Sequence, residues 1–316
     1  MRVLNLVPNA DSRFFTQQVR ALDQRGVDAD TLSVPGNRGY DDGETDSRSV
    51  TDYLRFYPRV LRESAGDYDL VHANYGLVAP HAIAQPSRPV VLSLWGTDLM
   101  GRYGWVARQC ARFADAVVVM STEMAAALGD SCYVIPHGVD FDRFAPLDRD
   151  DARAALDWDA DIDHVLFPYP PERGVKDYPR AERVVEHIRE RRDRPVELHT
   201  VTDVPHAYMP VYMNAADALL LTSQREGSPN AVKEALACNL PVVATNVGDV
   251  AERLDGVHPS FVCDSTNELV DGLDSVLDAN TRSNGRDAVR DLSVERTSER
   301  LHGVYEAVLD AAEKTR

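Results

Sequence analysis

The stretch Arg225-Glu226-Gly227-Ser228-Pro229-Asn230-Ala231-Val232-Lys233-Glu234-Ala235-Leu236-Ala237-Cys238-Asn239-Leu240-Pro241-Val242-Val243-Ala244-Thr245 runs from a polar loop through a short helix into a buried strand. Gly227 gives the loop a pliable backbone, Ser228 is suited to cap the helix, and Pro229 fits its first position, where a missing N–H costs nothing. The helix is expected to stop at Asn239, ahead of Pro241. Two carboxylates bracket its start, Glu226 just before it and Glu234 inside it. The amides of a first helical turn have no partner inside the helix and sit at the positive end of its dipole. An anion such as a phosphate is therefore expected beside Gly227, Ser228, Pro229 and Asn230.

Outward from this stretch, apolar runs alternate with amphipathic ones along the whole chain. Strands are expected at residues 3–7, 29–34, 70–73, 90–94, 116–120 and 132–135, with helices at 15–25 and 50–65 and a polar Gly/Asp-rich loop at 36–46. A turn-rich connector follows at 135–146, then a short helix around 151–156. A second series places strands at 165–167, 196–200, 218–222, 242–245 and 260–262, helices at 179–192, 267–279 and 283–290, and a closing helix at 294–313. This rhythm is that of parallel sheets covered by helices on both faces. It predicts an α/β protein with two Rossmann-like domains facing across a cleft: 1–140, 141–293, and a final segment 294–316 that packs back on the first domain. Open sheets of this kind bind ligands beyond the carboxyl ends of their strands. That draws attention to loops 8–13, 74–77, 95–101 and 137–140 in the first domain, and 169–177, 202–208, 223–230 and 246–249 in the second.

At 316 residues and 44% apolar content the chain is large enough for two cores. No apolar run approaches the ~20 residues of a membrane span, and the opening Met1-Arg2-Val3-Leu4-Asn5-Leu6-Val7-Pro8 is too short for a secretory signal, so a cytoplasmic protein is expected. Four scattered cysteines carry no metal spacing and read as buried thiols; no metal is expected. A formal charge of −17 speaks against nucleic acid as a partner. The chain uses only three lysines, Lys176, Lys233 and Lys314, and two of them lie in or near expected phosphate loops. Lys233 adjoins Glu234 and is expected on the helix surface or in an intrahelical pair. Residues 53–62 interleave Leu54, Phe56, Tyr57, Val60 and Leu61 with Arg55, Arg59 and Arg62. That pattern suits an ordinary domain helix, and also a helix resting on an anionic membrane face.

Glu226 and Glu234, with seven residues between them, resemble the E-x7-E signature of retaining glycosyltransferase family 4, which has the GT-B fold. Three further segments resemble that family in the same order. They are Trp95-Gly96-Thr97-Asp98, His137-Gly138-Val139-Asp140 with Arg143-Phe144-Ala145-Pro146, and Lys176 on the first loop of the second domain. The resemblance implies transfer of a sugar from a nucleotide-diphosphate donor, UDP- or GDP-linked, to an acceptor hydroxyl. It implies retained anomeric configuration, no metal or other cofactor, and a glycan or lipid-linked acceptor reached at the inner face of a membrane. It places Glu234 on the ribose hydroxyls, Glu226 near the donor sugar, and Lys176, with Arg173 as a second cation, on the diphosphate. Glu226, Lys176 and Asp98 are then the expected catalytic groups, Asp98 orienting the acceptor or else capping the helix after it.

Trp95 departs from the family, which has histidine at that position; His72 and His137 are the available substitutes, His72 serving equally well as a buried structural imidazole. Asn9-Ala10-Asp11-Ser12 replaces the family's glycines in the first loop, and Asp249 is expected to cap a helix or to touch the base or sugar. Other readings stand beside this one. Glu226 and Glu234 could be a solvated loop residue and a surface helix residue. A glycosidase pair needs carboxyl groups ~5–9.5 Å apart across one bond, whereas eight helical residues span ~12 Å. A non-catalytic nucleotide-sugar-binding protein or an epimerase of the same fold would share the architecture; Trp95 favours the former.

Overall fold

The computed structural model describes residues 1–36, 49–86, 88–129, 131–202 and 204–315, residue 315 by its backbone alone. The loop expected at 36–46 lies, beyond Gly36, outside the described residues. The chain divides into two compact units, Met1–Gly138 with Val294–Arg316, and Val139–Ser293. The boundary thus falls two residues ahead of the expected one.

The first unit holds six strands: β1 (Arg2–Val7), β2 (Asp28–Ser33), β3 (Leu70–Asn74), β4 (Val90–Ser93), β5 (Ala116–Val119) and β6 (Tyr133–Val134). They pair in the order β2-β1-β3-β4-β5-β6, every pair parallel. β3, β4 and β5 are buried at every position, as a strand covered on both faces must be. The strand order reverses between β1 and β3, which opens a crevice where the loops after these two strands diverge. The helix Val50–Ser64 sends Phe56 and Val60 into this core and leaves Val50, Leu54 and Leu61 exposed, as an amphipathic domain helix does.

The closing helix, Val294–Thr315, belongs to the first unit. Its Leu301, Val304, Tyr305 and Val308 join the core of β1 and β3–β5. A Cβ on Gly138 would sit 2.6 Å from Val294 Cα and 2.4 Å from Thr297 Oγ1, so only glycine lets the chain pass the start of this helix. The buried tie is polar. His72, in the middle of β3, has Nδ1 2.6 Å from the Tyr305 hydroxyl and Nε2 2.7 Å from Ser93 Oγ. Both ring nitrogens are engaged, and burial holds the imidazole down to about 3. His72 is therefore structural, and its expected part in the chemistry is withdrawn.

The second unit has five strands: β7 (Asp163–Phe167), β8 (Val196–Thr200), β9 (Ala218–Leu221), β10 (Val242–Thr245) and β11 (Phe261–Cys263). Their order is β11-β10-β9-β7-β8, again all parallel. Counted from its own first strand this is the same order as in the first unit, with the reversal between β7 and β9. Helices Tyr178–Arg191 and Thr266–Ala279 cover one face with a core of Val184, Ile188, Leu269 and Leu273. The other face packs against Asn230–Ala237 through Val232, Ala235 and Leu236. The helix expected at 283–290 is shorter, Gly285–Ala288, followed by a single 3₁₀ turn, Arg290–Leu292.

Because the unfolded chain protonates His72 as pH falls through about 6.5 while the native ring stays neutral to about 3, the native state loses stability over that interval. Between pH 7 and pH 5 the first unit of the wild type should lose roughly 2 kcal/mol more than a His72→Gln variant. Denaturant unfolding at the two pH values measures the difference; equal losses would refute it.

Candidate functional site

In the second unit four loops meet beyond the carboxyl ends of β7, β8, β9 and β10. After β7 the chain makes a 3₁₀ turn, Gly174–Lys176, that carries Lys176 inward until 4% of it is exposed. Its Nζ lies 2.5 Å from Glu226 Oε1 and 3.6 Å from the centre of the Tyr169 ring. Burial pulls the ammonium pKa down; Glu226 opposes that pull. Glu226 arrives from the loop after β9, and the same Oε1 accepts a 2.7 Å bond from Ser223 Oγ. The ion pair thus bridges the point where the strand order reverses. Tyr169 is itself half-buried, its phenol pushed well above the ordinary value by desolvation, with Glu226 and Glu234 adding to the effect. Arg173, exposed at the rim, places its guanidinium 5.9 Å from the same ring centre.

Threonine hydroxyls stitch these loops together. Thr222 Oγ1 donates to the carbonyls of Lys176 and Asp177, and Thr245 Oγ1 donates to the carbonyl of Ser223 at 2.7 Å. The Gln224 amide donates to the Val175 carbonyl. After β8, His206 reaches across with Nε2 2.9 Å from Glu234 Oε1, on the helix Asn230–Ala237.

Several expectations need correction here. Pro229, not Ser228, occupies the position before the first helical residue, which is Asn230. Ser228 lies one residue before that position, and its hydroxyl donates to Asp249 Oδ2 at 2.8 Å, which ties the loop to the one after β10. Asp249 stands ahead of the helix Val250–Leu254 without a side-chain cap; its carboxylate receives Ser228 and Arg253 Nε at 3.0 Å. Lys233 is not on a surface: it is wholly buried, and burial brings its pKa down to about 8 against the attraction of Asp249. Asn230 Oδ1 is a buried acceptor without a hydrogen-bond partner, at the helix start where a ligand hydroxyl or water could meet it. Gly248, at φ +59°, lies so close to Gly227 that a Cβ would stand 2.6 Å from the Gly227 carbonyl oxygen.

Arg173, Lys176, Glu226, Gly227, Ser228, Pro229, Asn230 and Glu234 are thereby gathered on the loops of one crevice, with Asp249 tied to Ser228. Tyr169, His206 and Ser223 join them. Their loops were marked in the sequence, but no motif singled out the residues: Ser223 and Tyr169 act through Glu226 and Lys176, and His206 through Glu234, 28 residues on.

In the first unit, Asp98 is 2% exposed and serves the backbone. It accepts N–H bonds from Gly76 at 2.8 Å, Trp95 at 2.9 Å and Gly96 at 2.8 Å, fastening the loop after β4 to the loop after β3. Burial nonetheless pushes its pKa up to about 6. Both oxygens are committed, so Asp98 positions the loop and is no longer counted among the catalytic groups. Trp95 packs edge-on against Phe14, ring centres 4.6 Å apart, and Phe14 lies 4.3 Å from the His137 ring. Phe14 and His137 also line a small cavity with Gln18, Ser93, Met120 and Thr297. In the first loop Asn9 Oδ1 accepts from the Asp11 amide, a local turn that does the work of a glycine bend.

Two α/β units of matched strand order, each with its loops gathered at a switch point, define a protein of the GT-B class. Residues 12–143 match the family described as Glycosyltransferase Family 4, and residues 175–279 match Glycosyl transferases group 1. The chain belongs to glycosyltransferase family 4. It is 28% identical over 225 residues to a Bacillus subtilis protein named as the teichuronic acid biosynthesis glycosyltransferase TuaC; the match covers 60% of this chain and 56% of that one. Among solved structures, the fold is shared with a sucrose-phosphate synthase from Thermosynechococcus elongatus at TM-score 0.77 and 18% identity, covering 98% of this chain and all of that one. It is shared also with Anabaena HepE in complex with UDP and glucose, at TM-score 0.70 and 16% identity over 97% of this chain and all of that one. Among the described residues no helix is long and apolar enough to cross a membrane.

Replacing Gly248 by alanine should displace the Gly227 carbonyl and with it the loop that carries Glu226. Nucleotide affinity measured by calorimetry should fall at least tenfold while the far-ultraviolet circular dichroism is kept; unchanged affinity would show that the contact does not shape the site.

Proposed function

We propose that this chain is a retaining glycosyltransferase that moves a hexosyl or related sugar from a UDP- or GDP-linked donor to an acceptor hydroxyl without a metal in the transfer step. The observation that carries the proposal is the buried Lys176 ammonium, held between Glu226 and the Tyr169 ring at the switch point of the second unit. A diphosphate brought to this crevice would meet that ammonium, the Arg173 guanidinium and the first-turn amides of the helix Asn230–Ala237. Charge develops on the leaving diphosphate as the bond to the sugar breaks, and a fixed cation in a dry site stabilises it more than water would. Glu234 offers a carboxylate to a ribose diol, with His206 holding one of its oxygens.

In the transfer, the bond between the anomeric carbon and the phosphate oxygen breaks, the acceptor oxygen bonds to that carbon on the same face, and the acceptor proton passes to a donor phosphate oxygen. No side chain is used as a nucleophile. Glu226, already bonded to Lys176 and Ser223, acts by orienting the lysine and the sugar. That HepE was solved with UDP and glucose supports a nucleotide sugar as the partner. The name of the TuaC relative supports assembly of a glycan or polysaccharide, with a lipid-linked acceptor at the inner membrane face consistent with that reading.

Removing Glu234 as Glu234→Ala should raise the donor dissociation constant roughly ten- to hundredfold, the cost of charged hydrogen bonds to a diol. Lys176→Met should lower the turnover number by roughly 10²–10³. A panel of UDP- and GDP-sugars, read by thermal shift and then by NMR of the anomeric signal in product, tests both. Product with inverted configuration would refute retention. Trp95, standing where the family has histidine, favours one other reading, a donor-binding protein without turnover; tight donor binding with no product from any acceptor would establish it.

A further inference from the structure

His164 and Glu197 are paired across β7 and β8, and His199 follows Glu197 by two residues, so all three side chains leave the same face of the two strands. One ligand atom from each lies within 4.8 Å of the others. His164 Nδ1 and His199 Nε2 are 2.8 Å apart, and Glu197 Oε2 is 3.6 Å from His199 Nε2. The other nitrogen of His164, Nε2, is 2.8 Å from the Asp159 carbonyl, which can only accept. That contact puts the proton on Nε2 and leaves the Nδ1 lone pair facing the cluster. It is also the outer-shell bond that metal-bound histidines habitually make. Trp158 fixes both rings, stacked on His199 at 3.8 Å and on His164 at 4.6 Å, and Tyr212 meets Trp158 edge-on.

We propose that His164, His199 and Glu197 form a site for one divalent transition-metal ion of the zinc class. Two imidazole nitrogens and one carboxylate oxygen are a borderline donor set that suits Zn²⁺, Co²⁺ or Ni²⁺ and does not suit Mg²⁺ or Ca²⁺, which take oxygen shells. Tetrahedral binding at ordinary Zn–N lengths sets the two nitrogens about 3.3 Å apart. The His164–His199 gap therefore opens by only a fraction of an ångström, with loss of one N–H···N bond. Glu197 is largely exposed and free to swing in, and water fills the fourth position. Since β8 is the edge strand of its sheet, the ion fastens an edge to its neighbour. The cluster sits on the strands themselves, with His164 next to the amino end of β7, whereas Lys176 and Glu226 lie on loops after the carboxyl ends. The ion is thus a structural clasp and takes no part in sugar transfer.

The test uses the full chain without an affinity tag, stripped with chelator and titrated with CoCl₂ and ZnCl₂. One ion per chain is expected, with the visible bands of tetrahedral Co²⁺ and a raised unfolding temperature. NiCl₂ is expected to quench Trp158 fluorescence. Glu197→Gln, a surface change that leaves the fold alone, should weaken binding at least tenfold, and His199→Gln should abolish it. Absence of stoichiometric binding at micromolar metal overturns the proposal. So does equal binding by both variants, or displacement of Co²⁺ by millimolar Mg²⁺.

Discussion

A buried ammonium is the constraint on which the second unit's crevice depends. Taking a charge of that size out of water costs several kcal/mol unless partners replace the solvent. For Lys176 they are a carboxylate at 2.5 Å and an aromatic face at 3.6 Å, each from a different segment of the chain. Satisfying one charge therefore obliges the loops after β7 and β9 to converge. Thr222 and Thr245 then lock that convergence by bonding to carbonyls of Lys176, Asp177 and Ser223. Glu226 cannot drift, since Ser223 holds the oxygen that meets the lysine. The loops of this crevice are thus ordered by charge and hydrogen bonds, and Glu234 is carried by the packed helix Asn230–Ala237.

The first unit solves the same topological problem with opposite means. Its buried carboxylate, Asp98, answers to backbone amides of Gly76, Trp95 and Gly96 instead of to a cation. Its crevice is walled by Phe14, Trp95 and His137. Two units with the same strand order thus present different chemistry. One offers a compensated positive charge, the other a cluster of packed aromatic rings.

Much of this was legible in the sequence. The strands read clearly because runs such as 90–92 and 116–119 are apolar at every position, as a parallel strand covered on both faces requires. The gathering of residues 173–176 with 226–234 followed from their place after strands. What escaped was set by distant partners. His72 became structural because Tyr305, 233 residues away, comes to its ring. Lys233 was read by its helical neighbours, yet the helix Asn230–Ala237 is covered on nearly all sides, so no surface face existed for it. Ser228 had the chemistry of a cap, but the helix begins one residue later than that role needs, with Pro229 in the capping position. Glu197 and His199 look unremarkable two residues apart until strand register sets His164 against them.

The return of the final helix into the first unit bears on the order in which the protein can be made. A ribosome delivers residues 139–293 as one contiguous stretch, so the second unit can close its core while the first still lacks Leu301, Val304 and Tyr305. At ~5–20 residues per second, β3 and β4 wait on the order of ten seconds or more for the segment that covers them. Throughout that wait His72 lacks the Tyr305 hydroxyl, and the apolar bed beneath it lies bare. The part of the chain synthesised first is the last to become native, and is the part most in need of protection while it waits.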